Sequence, residues 1–191
     1  LIGKNLYKEF NVWWIDNKIL ITNISNLPID KKYWYNKIVF KHKNNVYDSI
    51  GINFMLTKEF EELTTTLINT FHSITKKEYS KVFGDYKLLK ENKNICWAYV
   101  RNKNDFDTCI HHHIKTSTIN SVFYLNVPSK KTGGITFYRN IDNKFLTYYP
   151  NDFDLIIFPN YLLHEPEKSE SEEYRIAINM EIICERVQSS S

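Results

Sequence analysis

Cysteine is scarce in this chain. Cys96, Cys109 and Cys184 cannot all pair with one another, and their spacing is not that of a zinc ribbon. A disulfide framework is therefore not the organising device, and a reducing compartment is the simpler expectation. Long apolar runs are missing too: none approaches the length of a membrane span, and LIGKNLYKEF has neither the core nor the cleavage site of a secretory signal. The expectation is a cytoplasmic protein with no membrane partner. Nor is there an excess of one charge, because 25 basic and 22 acidic residues leave +3, too balanced to indicate nucleic acid. Lys41-His42-Lys43 and Lys130-Lys131 read as solvated turns, and 165–173, EPEKSESEE, as an acidic loop. Glycine numbers only five, few for 191 residues. What the chain does have is apolar and aromatic side chains, 42% and 15%, which argue against disorder and for one well-buried domain over 1–191.

The order of elements follows from periodicity. Residues 10–24 and 33–41 read as strands or extended segments, with Asn44-Asn45 as a turn. Leu56, Phe60, Leu63, Leu67, Phe71 and Ile74 recur at steps of three and four, the stripe of an amphipathic helix. Thr57 is placed to cap it, Glu59, Glu61 and Glu62 suit its first turns, and Lys76 and Lys77 suit its end. This stripe is core packing on the outer face of a sheet. Trp13, Trp14, Trp34 and Tyr35 read as core in the same N-terminal part, or as a substrate wall. From residue 94 come eight strand-like runs: 95–101, 105–112, 120–127, 134–139, 144–149, 154–158, 160–164 and 174–183. Eight runs suit a mainly β jelly roll, or double-stranded β-helix, over 94–183. It would be preceded by an α/β extension over 1–93 and followed by a polar tail over 184–191.

The chemistry concentrates in histidines. In an extended segment alternate side chains point to opposite faces, so His111 and His113 enter one cavity while His112 points away. His164, at the end of a distant run, would add a third imidazole and leave open positions on a metal, which suits a catalytic site. A histidine run alone is a weak signal. Here Arg175 stands eleven residues after His164, as an anion clamp would. In YRIAINMEI the apolar Ile176, Ile178, Met180 and Ile182 share one face, and Arg175, Ala177, Asn179 and Glu181 the other. The same alternation groups Val122, Tyr124 and Asn126, and also Trp97, Tyr99 and Arg101. In DFDTCIH it sets His111 with Asp105, Asp107 and Cys109. Together these describe a polar cavity with aromatic walls.

The segments HHHIKTSTINSVFYLNVP (111–128), GGITFYRN (133–140), YYPNDFDLIIFPNYLLHEPE (149–167) and YRIAINMEI (174–182) resemble the iron(II)- and 2-oxoglutarate-dependent oxygenases. The branch they resemble more closely is that of prolyl-hydroxylase-like and phage or bacterial oxygenases. The resemblance covers roughly the last hundred residues and rests on the His-x-His pair, Tyr124-Leu125-Asn126, Phe158-Pro159, His164 and Arg175. It implies Fe(II) held by His111, His113 and His164, with dioxygen and 2-oxoglutarate as cosubstrates and succinate and carbon dioxide as coproducts. Arg175 would then meet the far carboxylate of 2-oxoglutarate, Tyr124 or Tyr99 would add a hydrogen bond, and Asn126 would hold the near carboxylate. The substrate implied is a peptide or a small amine-containing molecule.

Four departures stand out. The second ligand is His where Asp is commoner, removing one negative charge from the site. The stretch from the ligand pair to 121–124 is one residue longer than the pattern; starting at His112 would repair it, but would make Ile114 a ligand. Ala177 stands where Ser or Thr is frequent. The turn at 150–154 lacks glycine, which Asn and Asp partly replace. Two other classes remain compatible: a cupin-like three-histidine dioxygenase without 2-oxoglutarate, which would not need Arg175, and a non-catalytic metal-binding jelly roll.

Overall fold

Runs such as Asp154–Pro159 and Ile119–Asn126 are buried at every position, so the sheet they build must be covered on both faces. The computed structural model describes residues 11–16, 18–44, 55, 57–83, 86–88, 95–105, 109–115, 118–129 and 133–186. Its strands are β1 Val12–Ile15, β2 Ile19–Asn23, β3 Tyr86–Leu88, β4 Ile95–Arg101, β5 Ile119–Asn126, β6 Ile135–Asn140, β7 Asn143–Tyr148, β8 Asp154–Pro159, β9 Leu163–Pro166, β10 Arg175–Ile182 and β11 Cys184–Arg186. The helices are α1 Lys31–Asn44, α2 Glu61–Ile74 and α3 Ser80–Phe83. A large antiparallel sheet runs β1-β2-β8-β5-β10-β4 and a smaller one β7-β6-β9, with β11 and β3 forming a separate pair. The architecture is mainly β, a jelly roll. Among the described residues no helix is long and apolar enough to cross a membrane.

The period-two pattern sorts side chains into two cores. Ile176, Ile178, Met180 and Ile182 of β10 join Leu63, Leu67, Phe71 and Ile74 of α2 on one face of the large sheet. On the other face, Val122 and Tyr124 of β5 and Ile156 and Phe158 of β8 meet Ile135 and Phe137 of β6. Each fully buried Leu, Ile or Phe contributes roughly 1.5–3 kcal/mol. Leu56, the first residue of the anticipated stripe, lies outside the described residues. The helix starts with a tight turn at Lys58–Phe60, and Thr57 has extended N-cap backbone geometry without a side-chain cap bond.

Several expectations are corrected. Residues 33–41 are helical: the Asp30 carboxylate accepts the Tyr33 amide at 3.0 Å as an N-cap, and Trp34 and Ile38, four apart, are the buried residues of α1. Lys41-His42-Lys43 is therefore the last turn of that helix. Lys41 pairs with Glu59 at 2.7 Å, and His42 packs on Tyr174 with ring centroids 5.3 Å apart. Asn44 ends the helix, whereas Asn45 and Lys130-Lys131 lie outside the described residues. Run 105–112 is not a strand among its described residues. It contributes one bridge, His111 with His164. Run 160–164 begins as a turn and becomes β9 at Leu163. Cys184–Arg186, read as the start of the tail, is β11, paired with β3.

Candidate metal centre and anion site

His111 and His164 are brought together by backbone pairing: each amide donates to the other's carbonyl at 2.9 Å. His113 is fixed by its own amide, which donates to the Asn160 carbonyl at 2.9 Å. The three rings lie 4.4–5.1 Å apart between centroids. One nitrogen from each forms a group whose members are all within 4.8 Å of one another, with no carboxylate in the group. His112 is exposed.

Each imidazole has its tautomer set by its neighbour. Nδ1 of His111 meets the Cys109 carbonyl at 2.9 Å, and Nδ1 of His164 meets the Leu162 carbonyl at 2.9 Å. A carbonyl only accepts, so both Nδ1 atoms carry the proton and Nε2 keeps the lone pair. Nδ1 of His113 faces Glu181 Oε1 at 2.7 Å, with the same consequence. Burial pushes the His164 pKa down to about 3, with His111 adding to the effect, and burial also lowers that of His111. Uncharged imidazoles with inward lone pairs are the form that binds a divalent metal.

These histidines open on a cavity of about 420 Å³ between the two sheets. Across it lies Arg175, 1% exposed. Its Nη1 donates to the carbonyls of Gly133 and Gly134, while Nε is buried without a hydrogen-bond partner. None of the ion pairs among the described residues includes it. Burial lowers its pKa, yet a guanidinium stays charged. A buried cation outside any ion pair among the described residues is costly, and a carboxylate entering the cavity would compensate it. Gly133 makes this placement possible: its φ is +74°, and a Cβ there would stand 2.9 Å from Arg175 Cδ.

The other anticipated residues divide. Tyr99, Tyr124, Ala177 and Asn179 line the cavity, as do Trp97 and Cys109. The Arg175 guanidinium carbon is 5.6 Å from the Tyr99 ring centre. Arg101 stacks on that ring at 4.3 Å without lining the cavity. Asn126 is a correction. β5 shifts register opposite Ile176/Ala177, so Tyr124 pairs with Ala177 but Asn126 with Ile176. One extra residue in a strand reverses which face the next side chain takes, and the Asn126 amide instead donates to the Tyr174 carbonyl at 2.7 Å and to Glu173 at 3.2 Å. In the turn at 150–154 the left-handed residue is Phe153, φ 66°, and not Asn or Asp. Its amide donates to Tyr124 O at 2.7 Å, its carbonyl accepts from Ile24 at 3.0 Å, and its ring packs on Phe123 at 6.0 Å, which together hold the strained backbone. Glu181 and the Gly133-Gly134 carbonyls belong to the site without a motif that announces them, although alternation alone puts Glu181 on the cavity face.

No protein-family model matches the chain, and no curated protein matches it by sequence. Solved structures do match. A prolyl 4-hydroxylase from Phytophthora capsici superimposes with TM-score 0.66 at 12% identity over 92% of this chain, which spans 61% of that one. A Trichoplax adhaerens prolyl hydroxylase in complex with a hypoxia inducible factor oxygen degradation domain peptide fragment gives 0.63 at 13% identity, covering 88% of this chain and 84% of that one. A Pseudomonas putida prolyl-4-hydroxylase gives 0.54 at 11%, covering 85% and 84%. Identities this low speak for architecture alone, and in architecture this chain is a jelly roll of the prolyl-hydroxylase kind.

Proposed function

We propose that the protein is an Fe(II)- and 2-oxoglutarate-dependent dioxygenase that hydroxylates a peptidyl or small amine-containing substrate. The observation that carries this reading is the buried Arg175, in no ion pair among the described residues and with Nε lacking a hydrogen-bond partner, in the same cavity as the clustered imidazoles of His111, His113 and His164. Three nitrogen ligands alone fit several first-row metals. The cation is what favours a dicarboxylate cosubstrate over the cupin-like chemistry.

In this reading His111, His113 and His164 hold the metal through Nε2, with Nδ1–H of each fixed by Cys109, Glu181 and Leu162. With iron and 2-oxoglutarate bound, dioxygen would be the oxidant: 2-oxoglutarate would give up two electrons and carbon dioxide and keep one oxygen atom as succinate, and the substrate C–H would take the other as a hydroxyl. Arg175 binds and orients the far carboxylate by charge-assisted hydrogen bonds. Tyr99 and Tyr124 flank it, with Ala177 leaving room where a hydroxyl would otherwise sit. Trp97, Val122, Ile135 and Pro166 make the walls largely apolar, which keeps water from the reacting atoms. That the Trichoplax neighbour is in complex with a peptide fragment supports a peptidyl substrate.

The test is 2-oxoglutarate titration into anaerobic, Fe(II)-loaded protein, followed by succinate release in air. Binding with succinate production is expected. Metal binding without 2-oxoglutarate binding would return the protein to the cupin-like or non-catalytic class. A charged hydrogen-bonded contact is worth about 1.5–3 kcal/mol, so Arg175→Ala should weaken cosubstrate binding by roughly two orders of magnitude. Arg175→Lys should recover only part of it.

A further inference from the structure

We propose that Glu181 is a positioning residue for His113 and returns to the metal centre the negative charge that its all-histidine ligand set lacks. This rests on the reading of His111, His113 and His164 as metal ligands and extends it to a residue outside that set.

Glu181 lies on the cavity face of β10, six residues beyond Arg175, and its backbone is flanked by Asn120 of β5 and Ile95 of β4. Its side chain is 5% exposed. One carboxylate oxygen, Oε1, faces His113 Nδ1 at 2.7 Å; the other, Oε2, is buried without a hydrogen-bond partner. A carboxylate taken out of water with a single hydrogen bond is poorly satisfied. That arrangement gains its compensation when positive charge arrives on the far side of the imidazole it touches. His111 and His164 differ in this respect, since their Nδ1 atoms face neutral backbone carbonyls. Only His113, the ligand standing where an acidic residue is commoner, is backed by a carboxylate.

The chemistry separates two contributions. The hydrogen bond holds the His113 ring and its tautomer; the charge raises the basicity of Nε2 and offsets that of a divalent ion. Glutamine keeps an acceptor oxygen at the same reach, so Glu181→Gln removes the charge while leaving the orienting bond available. Glu181→Ala removes both. Partners of this kind typically change metal affinity by roughly 10–100-fold.

The experiment is Co(II) titration of wild-type protein, Glu181→Gln and Glu181→Ala, followed by the visible spectrum and a chelator competition, with melting temperatures of the metal-free proteins measured alongside. Wild type should bind one Co(II). Glu181→Gln should keep that stoichiometry with affinity lowered roughly tenfold or more, Glu181→Ala should be weaker still, and the metal-free melting temperature of Glu181→Gln should match wild type. Equal affinities of wild type and Glu181→Gln overturn the proposal and leave the functional reading standing. Weaker binding accompanied by a lower metal-free melting temperature assigns Glu181 to the fold instead and also overturns it. No Co(II) binding by wild type overturns both.

Discussion

At the residue scale, the backbone does much of the work of preparing the imidazoles. The Cys109 and Leu162 carbonyls each stand two residues before the histidine they orient, so the geometry is local and tolerates change in those two side chains. His164→Ala should therefore abolish stoichiometric metal binding, while His112→Ala, at an exposed ring outside the cluster, should keep one metal per chain; equilibrium dialysis with metal analysis measures both. Gly133 is less tolerant. Alanine there must adopt a positive φ and meet Arg175 Cδ, so Gly133→Ala should cost about 1–3 kcal/mol in urea unfolding and weaken 2-oxoglutarate binding by displacing the guanidinium. The clustering of His111, His113 and His164 and the place of Arg175 on the cavity wall were legible from spacing and strand alternation taken together with the family resemblance. Asn126 was not, because a one-residue register shift leaves no mark in the apolar pattern of β5. Glu181 was on the right face but had no readable partner, since its contact with His113 joins residues 68 positions apart.

At the element scale, α2 does not stop where its stripe ends. A π-helical turn at Thr75–Tyr79 follows, and it carries Tyr79 into the large sheet, where the hydroxyl reaches the Lys18 and Ile157 carbonyls at 2.5 and 3.0 Å. Tyr79→Phe should lower stability by about 1 kcal/mol, measured by denaturant unfolding. On the same helix His72 keeps Nε2 buried without a partner, and burial lowers its pKa from the ordinary 6.5. The unfolded chain then binds more protons than the folded one once pH drops below about 6.5, so acid destabilises the fold. His72→Leu should remove this contribution: stability profiles of variant and wild type should diverge as pH falls below that value. The helix was legible from its apolar spacing. α1 was missed because KKYWYNKIVF carries β-branched and aromatic residues that mimic a strand, while the deciding signals were the Asp30 cap and the Trp34/Ile38 step. Run 105–112 was over-read as a strand because local alternation cannot report whether a partner strand lies alongside.

For the whole molecule, the cavity lies between two sheets, so any ligand that occupies it ties one sheet to the other and is absent from the unfolded chain. Metal and 2-oxoglutarate at about a hundred times their dissociation constants should add about 2.7 kcal/mol each, or roughly 5–10 °C each in melting temperature for a chain of this size, read by scanning fluorimetry. Arg175→Ala should lose the 2-oxoglutarate increment and keep the metal's. The His111–His164 bridge gives that stabilisation a local address. It is an isolated pair of backbone bonds outside the strand ladders, with the His113 amide bonded to Asn160 beside it. These amide protons exchange with deuterated solvent whenever the bridge parts, without the sheets coming apart. A metal held by both side chains closes the same bridge from the other side. The amides of His111 and His164 should then become a clock for metal occupancy, their exchange slowing on loading while Ile178, deep in β10, keeps its pace.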